Sequence, residues 1–130
     1  MIEQGILYLT SILLGIMLFF SFVVAPSTFK FLNEKYARKF IRGIFPLYYL
    51  LNLGISLIVV ILIAYLIDFS HKFYLMLSIC ILFFISNFFL MPMINKFKDE
   101  GKEKNFKVSH FVSVAINFVQ MIFLIIILIK

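Results

Sequence analysis

The chain has 130 residues, of which 64% are hydrophobic and 14% charged, and a formal net charge of +6. Soluble domains run about 45–50% apolar and about 25% charged, and a chain this short has too little interior to hide the excess, so the apolar surface is expected to face lipid. The net charge does not point to nucleic acid: no binding module is present, and the basic residues gather in two loops, where anionic lipid headgroups would meet them.

Four stretches contain no Asp, Glu, Lys or Arg: 5–29, 43–67, 73–95 and 108–129. Each exceeds the roughly 20 residues that a helix needs to cross about 30 Å of hydrocarbon. Helices close their own backbone hydrogen bonds, as lipid requires, and no alternating pattern of a barrel is present. The sequence therefore predicts an all-α membrane protein, a single domain over 1–130, with helices at about 5–27, 44–67, 73–94 and 107–129. The first is expected to be a mature helix rather than a signal peptide. Met1-Ile2-Glu3-Gln4 offers no positive start, the apolar run is too long, and Ala25 is followed by Pro26.

The connections differ. Between the first two helices lie Lys30, Lys35, Arg38, Lys39 and Arg42. Phe29, Leu32, Tyr36, Phe40 and Ile44 recur among them at helical spacing. This pattern suits either a short interfacial helix at about 29–42 or an extension of the first helix. Asp68-Phe69-Ser70-His71-Lys72 makes a tight hairpin between helices 2 and 3. Lys96, Lys98, Lys102, Lys104 and Lys107, mixed with Asp99, Glu100 and Glu103, join helices 3 and 4. The positive-inside rule then predicts an up-down bundle with both basic loops in the cytoplasm and both termini outside. A faint internal echo accompanies this: Pro26-x-x-x-Lys30-Phe31 ends helix 1, and Pro92-x-x-x-Lys96-Phe97 ends helix 3.

Polar residues inside the spans are unevenly placed. On helix 4, His110, Ser113, Asn117 and Gln120 fall within an arc of roughly 80°. They reach about 15 Å into the membrane from the basic side. Tyr49, Asn52 and Ser56 share one face of helix 2. Helix 3 carries Ser86, Asn87 and Asn95, and helix 1 carries Ser21, Ser27 and Thr28. Amides are costly in lipid unless paired, so these faces should point inward. Two readings remain open: interhelical hydrogen bonds of roughly 0.6 kcal/mol each, or a polar pocket in the cytoplasmic leaflet. On the second reading the ligand-binding candidates are His110, Ser113, Asn117, Gln120, Asn87, Asn95, Tyr49 and Asn52.

Apart from tyrosines and Cys80, His110 is the one titratable group within a span, and such residues are functional candidates by default. No intramembrane carboxylate or lysine accompanies it, which argues against a proton relay or a charged pore ring. GxGxxG, P-loop, HExxH and CxxC patterns are absent, so no enzymatic activity is expected. The lone Cys80 forms no intramolecular disulfide. His71 and His110 are predicted on opposite sides of the membrane, where they share no metal. No cofactor is expected; the alternative is haem or copper held by His110.

Ser21-Phe22-Val23-Val24-Ala25-Pro26, Phe45-Pro46-Leu47-Tyr48-Tyr49, Pro92-x-x-Asn95 and His110-x-x-Ser113-x-x-x-Asn117 together resemble a family of small membrane proteins similar to transmembrane protein 205. The motifs cover nearly the whole chain in the family's order. The resemblance implies a four-helix membrane domain of unknown function. It also implies a distant similarity to copper-resistance membrane domains and to a haem-pathway membrane oxidase, an analogy of fold alone.

The sequence thus points to a binding, transport or accessory subunit of a bacterial inner membrane, as a homo-oligomer or within a larger complex. The alternatives are a redox protein using His110 and a structural assembly factor.

Overall fold

The computed structural model covers Met1–Lys130 and is entirely helical. Its four helices are α1, Ile2–Phe31; α2, Glu34–Tyr65; α3, His71–Asp99; and α4, Glu103–Ile129. All four are long and apolar enough to cross a membrane. The chain is a multi-pass integral membrane protein built as a four-helix bundle. Successive helices alternate in direction and pack in a ring, α1 on α2, α2 on α3, α3 on α4 and α4 on α1.

The breaks between helices are shorter than the charge pattern suggests. No separate interfacial helix forms at 29–42. Residues 29–31 complete α1, Leu32 turns extended, and Glu34–Arg42 are the first turns of α2. The cause is local. The Asn33 side chain accepts from the Tyr36 N–H at 3.0 Å, capping α2, and Arg38 pairs with Glu34 one turn earlier. The basic residues therefore sit on helical extensions that project past the apolar spans.

The two remaining turns share one geometry. After α3, the Lys102 N–H reaches the Phe97 carbonyl and the Gly101 N–H reaches that of Lys98. After α2, the Asp68 N–H reaches Ile63 and the Ile67 N–H reaches Ala64. Both are Schellman caps, which need a left-handed residue. Gly101 supplies it at φ 72°, but the other cap forces Ile67 to φ 53°.

Two turns are not α-helical. Phe20–Val24 in α1 and Ser86–Leu90 in α3 are π-helical, with the Ala25 N–H bonded to the Phe20 carbonyl and the Met91 N–H to that of Ser86. Pro26 and Pro92 follow at the same offset. Proline lacks an N–H and its ring collides with the carbonyl one turn back; widening the preceding turn relieves that collision without ending the helix. The sequence echo between helices 1 and 3 is thus an echo in backbone geometry.

The core column is Leu13 and Met17 of α1, Val59 and Ile63 of α2, Met76, Ile79 and Phe83 of α3, and Leu124 and Ile127 of α4. It fills the half of the bundle nearer the termini. Large apolar side chains such as Phe19, Leu47, Phe89 and Ile122 point outward, as a lipid-facing surface requires. The half nearer the basic ends is packed differently, and there the bundle opens.

Candidate functional site: a cavity at the basic end

A cavity of about 690 Å³ lies among all four helices at the basic end. Its deep wall is aromatic. Phe20 stacks on Tyr48 with ring centroids 4.0 Å apart, Phe45 meets Phe20 edge-on at 5.1 Å, and Tyr49 lies beside both tyrosine and phenylalanine. Behind these rings runs a chain of hydrogen bonds. The Tyr48 hydroxyl donates to Asn117 Oδ1 at 2.9 Å, and Asn117 Nδ2 donates to Ser21 Oγ at 2.7 Å. This ties α2 diagonally to α4 and then to α1. Most span hydroxyls, including Thr28, Ser78, Ser109 and Ser113, donate to a carbonyl of their own helix. Ser21, inside the π turn, makes no such bond; its hydroxyl instead meets Asn117 and lies beside the Tyr48 hydroxyl, at the wall of the cavity.

The rim is charged. Arg42 forks onto Asp99, Nη2 to Oδ1 at 2.5 Å and Nη1 to Oδ2 at 3.2 Å, and also reaches the Asn95 carbonyl at 3.4 Å. Arg38 bonds Glu34 at 2.9 Å. The Lys98 ammonium has no carboxylate and rests 4.8 Å from the Phe106 ring. The opposite face of the rim is His110, stacked on Phe106 at 5.8 Å.

The cavity opens sideways. Along most of its length α1 packs on α4, but its last turns, Ala25–Phe31, pack on α2 and make no comparable contact with α4. The Phe22 and Phe118 rings, 5.9 Å apart, close the base of the resulting wedge. Pro26 and Phe29 stand on one side, and His110, Ser113 and Val114 on the other.

Among the residues singled out from sequence, His110, Ser113, Asn117, Asn95 and Tyr49 line this cavity, and Asn52, Gln120 and Asn87 do not. Gln120 is buried in the neighbouring α3–α4 seam, where Nε2 donates to the Ile79 carbonyl at 3.0 Å and Oε1 has no partner. Asn52 is fully buried and neither amide atom finds a partner. Asn87 sits half-buried on α3. Sequence reasoning missed Arg38, Arg42, Lys98, Ser21 and Tyr48. A signal existed for the arginines: 38, 42, 45, 49, 52 and 56 form one continuous stripe on α2.

Nowhere do three or more His, Cys, Asp or Glu side chains converge as a metal site. His71 starts α3 at the end of the bundle opposite to His110.

Residues 8–103 match the family described as domain of unknown function (DUF4149). The chain belongs to this family. The matched stretch takes in most of α1, all of α2 and α3 and the first basic extension, and ends where α4 begins. An uncharacterised protein of Aquifex aeolicus (strain VF5) is 34% identical over 117 residues, covering 88% of this chain and 85% of that protein. No solved structure matches the chain.

Proposed function

We propose that this chain is a membrane-embedded binding protein, a transporter or accessory subunit, whose ligand lodges in the cavity at the basic end. The observation that carries this reading is the cavity itself. Its 690 Å³ falls within the range of small-molecule sites. Such sites combine apolar walls with a few placed polar groups, and here Ser21, Asn117, Asn95 and His110 are those groups.

The orientation proposed with it puts the cavity in the cytoplasmic leaflet of a bacterial inner membrane, with both termini outside. The basic extensions support this, because ten of the twelve Lys and Arg residues lie on them, where anionic headgroups would meet them. Kinship with the proteins similar to transmembrane protein 205 is proposed on the same ground: residues from all four shared motifs, Ser21, Tyr48, Asn95 and His110 among them, meet at one cavity.

Native mass spectrometry of the protein extracted from its own membrane tests the binding reading. A bound small molecule is expected on the natural protein and not on Val114→Trp, which fills the wedge. Absence of any adduct, together with identical melting of both proteins across a panel of amphiphiles, would overturn it in favour of a structural role in a complex or homo-oligomer. A second reading, haem or copper on His110, is favoured by the position of that imidazole on the cavity wall. Its test is a Soret band, or metal retained after purification, that is lost in His110→Ala.

A further inference from the structure

We propose that the ligand of this cavity is an anionic amphiphile, with its carboxylate or phosphate held by Arg42 and Arg38 and its apolar body seated among the aromatic rings. The proposal rests on the binding reading above and adds the chemical class. Three cations, Arg38, Arg42 and Lys98, line the rim, against Glu34 on the lining and Asp99 beside it. The rim therefore carries one uncompensated positive charge, and Lys98 is the cation without a carboxylate.

Asp99 shows what the rim accepts. Its planar carboxylate takes both nitrogens of the Arg42 fork, the geometry that guanidinium offers to carboxylates and phosphates generally. Asp99 is itself more than half exposed, so it can swing away and yield Arg42 to an incoming anion. Beneath the rim the walls are apolar, with Phe29, Ile41, Phe45 and Ile94 lining the descent to Ser21. A free inorganic anion would leave those walls unused, and a cationic amphiphile would meet a rim of net positive charge. The wedge between α1 and α4 gives lateral entry at the depth where an amphiphile's head and chain divide.

The test is binding to the full chain in discs of zwitterionic lipid. The probes are a long-chain fatty acid, a lysophosphatidic acid, the fatty alcohol of equal length, an alkylammonium and inorganic phosphate. The two amphiphilic anions are expected to bind at least about tenfold more tightly than the alcohol, as charge-assisted pairing implies. Arg42→Gln should remove that advantage and leave alcohol binding unchanged. Should Arg42→Gln fail to fold, Lys98→Gln and Arg38→Gln carry the same test. Asp99→Asn is the sharper variant: removal of the internal competitor should tighten anion binding several-fold, an effect that a merely structural ion pair does not produce. Equal binding of alcohol or alkylammonium overturns the anionic class and leaves the cavity-binding reading standing. Phosphate binding as well as the amphiphiles overturns the amphiphile. Binding of no probe, with Val114→Trp indistinguishable from the natural protein, overturns both.

Discussion

Tyr48 and Asn117 are joined across the diagonal of the bundle by a hydrogen bond of 2.9 Å, and Asn117 passes the connection on to Ser21. Neighbouring helices meet along their sides, but this bond crosses the middle, directly under the cavity. It sets the floor where the apolar column ends and the open half begins. Removing one partner is expected to be worse than removing both. Asn117→Leu leaves the buried Tyr48 hydroxyl unpaired and should lower stability by about 1–3 kcal/mol. Tyr48→Phe strands Asn117 Oδ1 in turn and should cost a similar amount, about 1–3 kcal/mol, with a coupling between the two sites of about 0.6 kcal/mol, the mean for such bonds in membrane bundles. Unfolding of the two single variants and the double variant in mixed detergent measures the coupling. Additive effects would show that the bond contributes nothing.

Asn52 should behave in the opposite way. Both its amide atoms are buried without partners, and an apolar side chain of similar size removes the burden of desolvating them. Asn52→Leu is therefore expected to be neutral or to raise stability by about 1 kcal/mol. A loss larger than that, in the same unfolding experiment, would show that the amide is paired in the membrane.

The two Schellman turns make a matched pair. Ile67 holds a left-handed conformation that disfavours a β-branched side chain, so Ile67→Gly should stabilise the chain by about 1 kcal/mol. Gly101→Ala should destabilise it by a similar amount, about 1 kcal/mol. A Cβ at Gly101 meets nothing within 4 Å, so the effect is one of backbone conformation alone. Melting temperatures moving in opposite directions are the expected result.

The π turn before Pro26 places Ser21 against Asn117. Pro26→Ala restores an N–H, and the turn is expected to tighten to α geometry, rotating Ser21 by about 100° relative to the end of α1. In a background with Cys80→Ala, the pair Ser21→Cys and Asn117→Cys should form a disulfide readily. Adding Pro26→Ala should suppress it. Equal cross-linking in both would show that the π turn does not depend on the proline.

Much of this architecture is legible in the residue pattern, and the exceptions have physical causes. Four charge-free stretches define the spans, because hydrocarbon admits few charges over that length. Hydropathy falls silent at Glu34–Arg42, yet the helix continues there, since Asn33 caps it and Glu34 pairs with Arg38. The same arginines were legible as signals of topology but not as walls of a site, although they share a face with Phe45 and Tyr49. Periodicity identifies a face; it does not say where along that face the neighbours separate. Asn52 and Gln120 lie on the right faces but below the closure made by Tyr48 and Asn117, in the tightly packed half. That separation arises at the π turns, which depend on how a proline is accommodated.

If the cavity binds as proposed, the wedge between the end of α1 and α4 changes what concentration means for this protein. A site that opens sideways within the bilayer is reached by diffusion in two dimensions. Its occupancy follows the mole fraction of a compound among the surrounding lipids rather than the amount free in water. A sparingly soluble molecule that partitions strongly into the membrane would saturate it at a vanishing aqueous level. Dilution of the membrane with inert lipid, at constant total compound, would empty it.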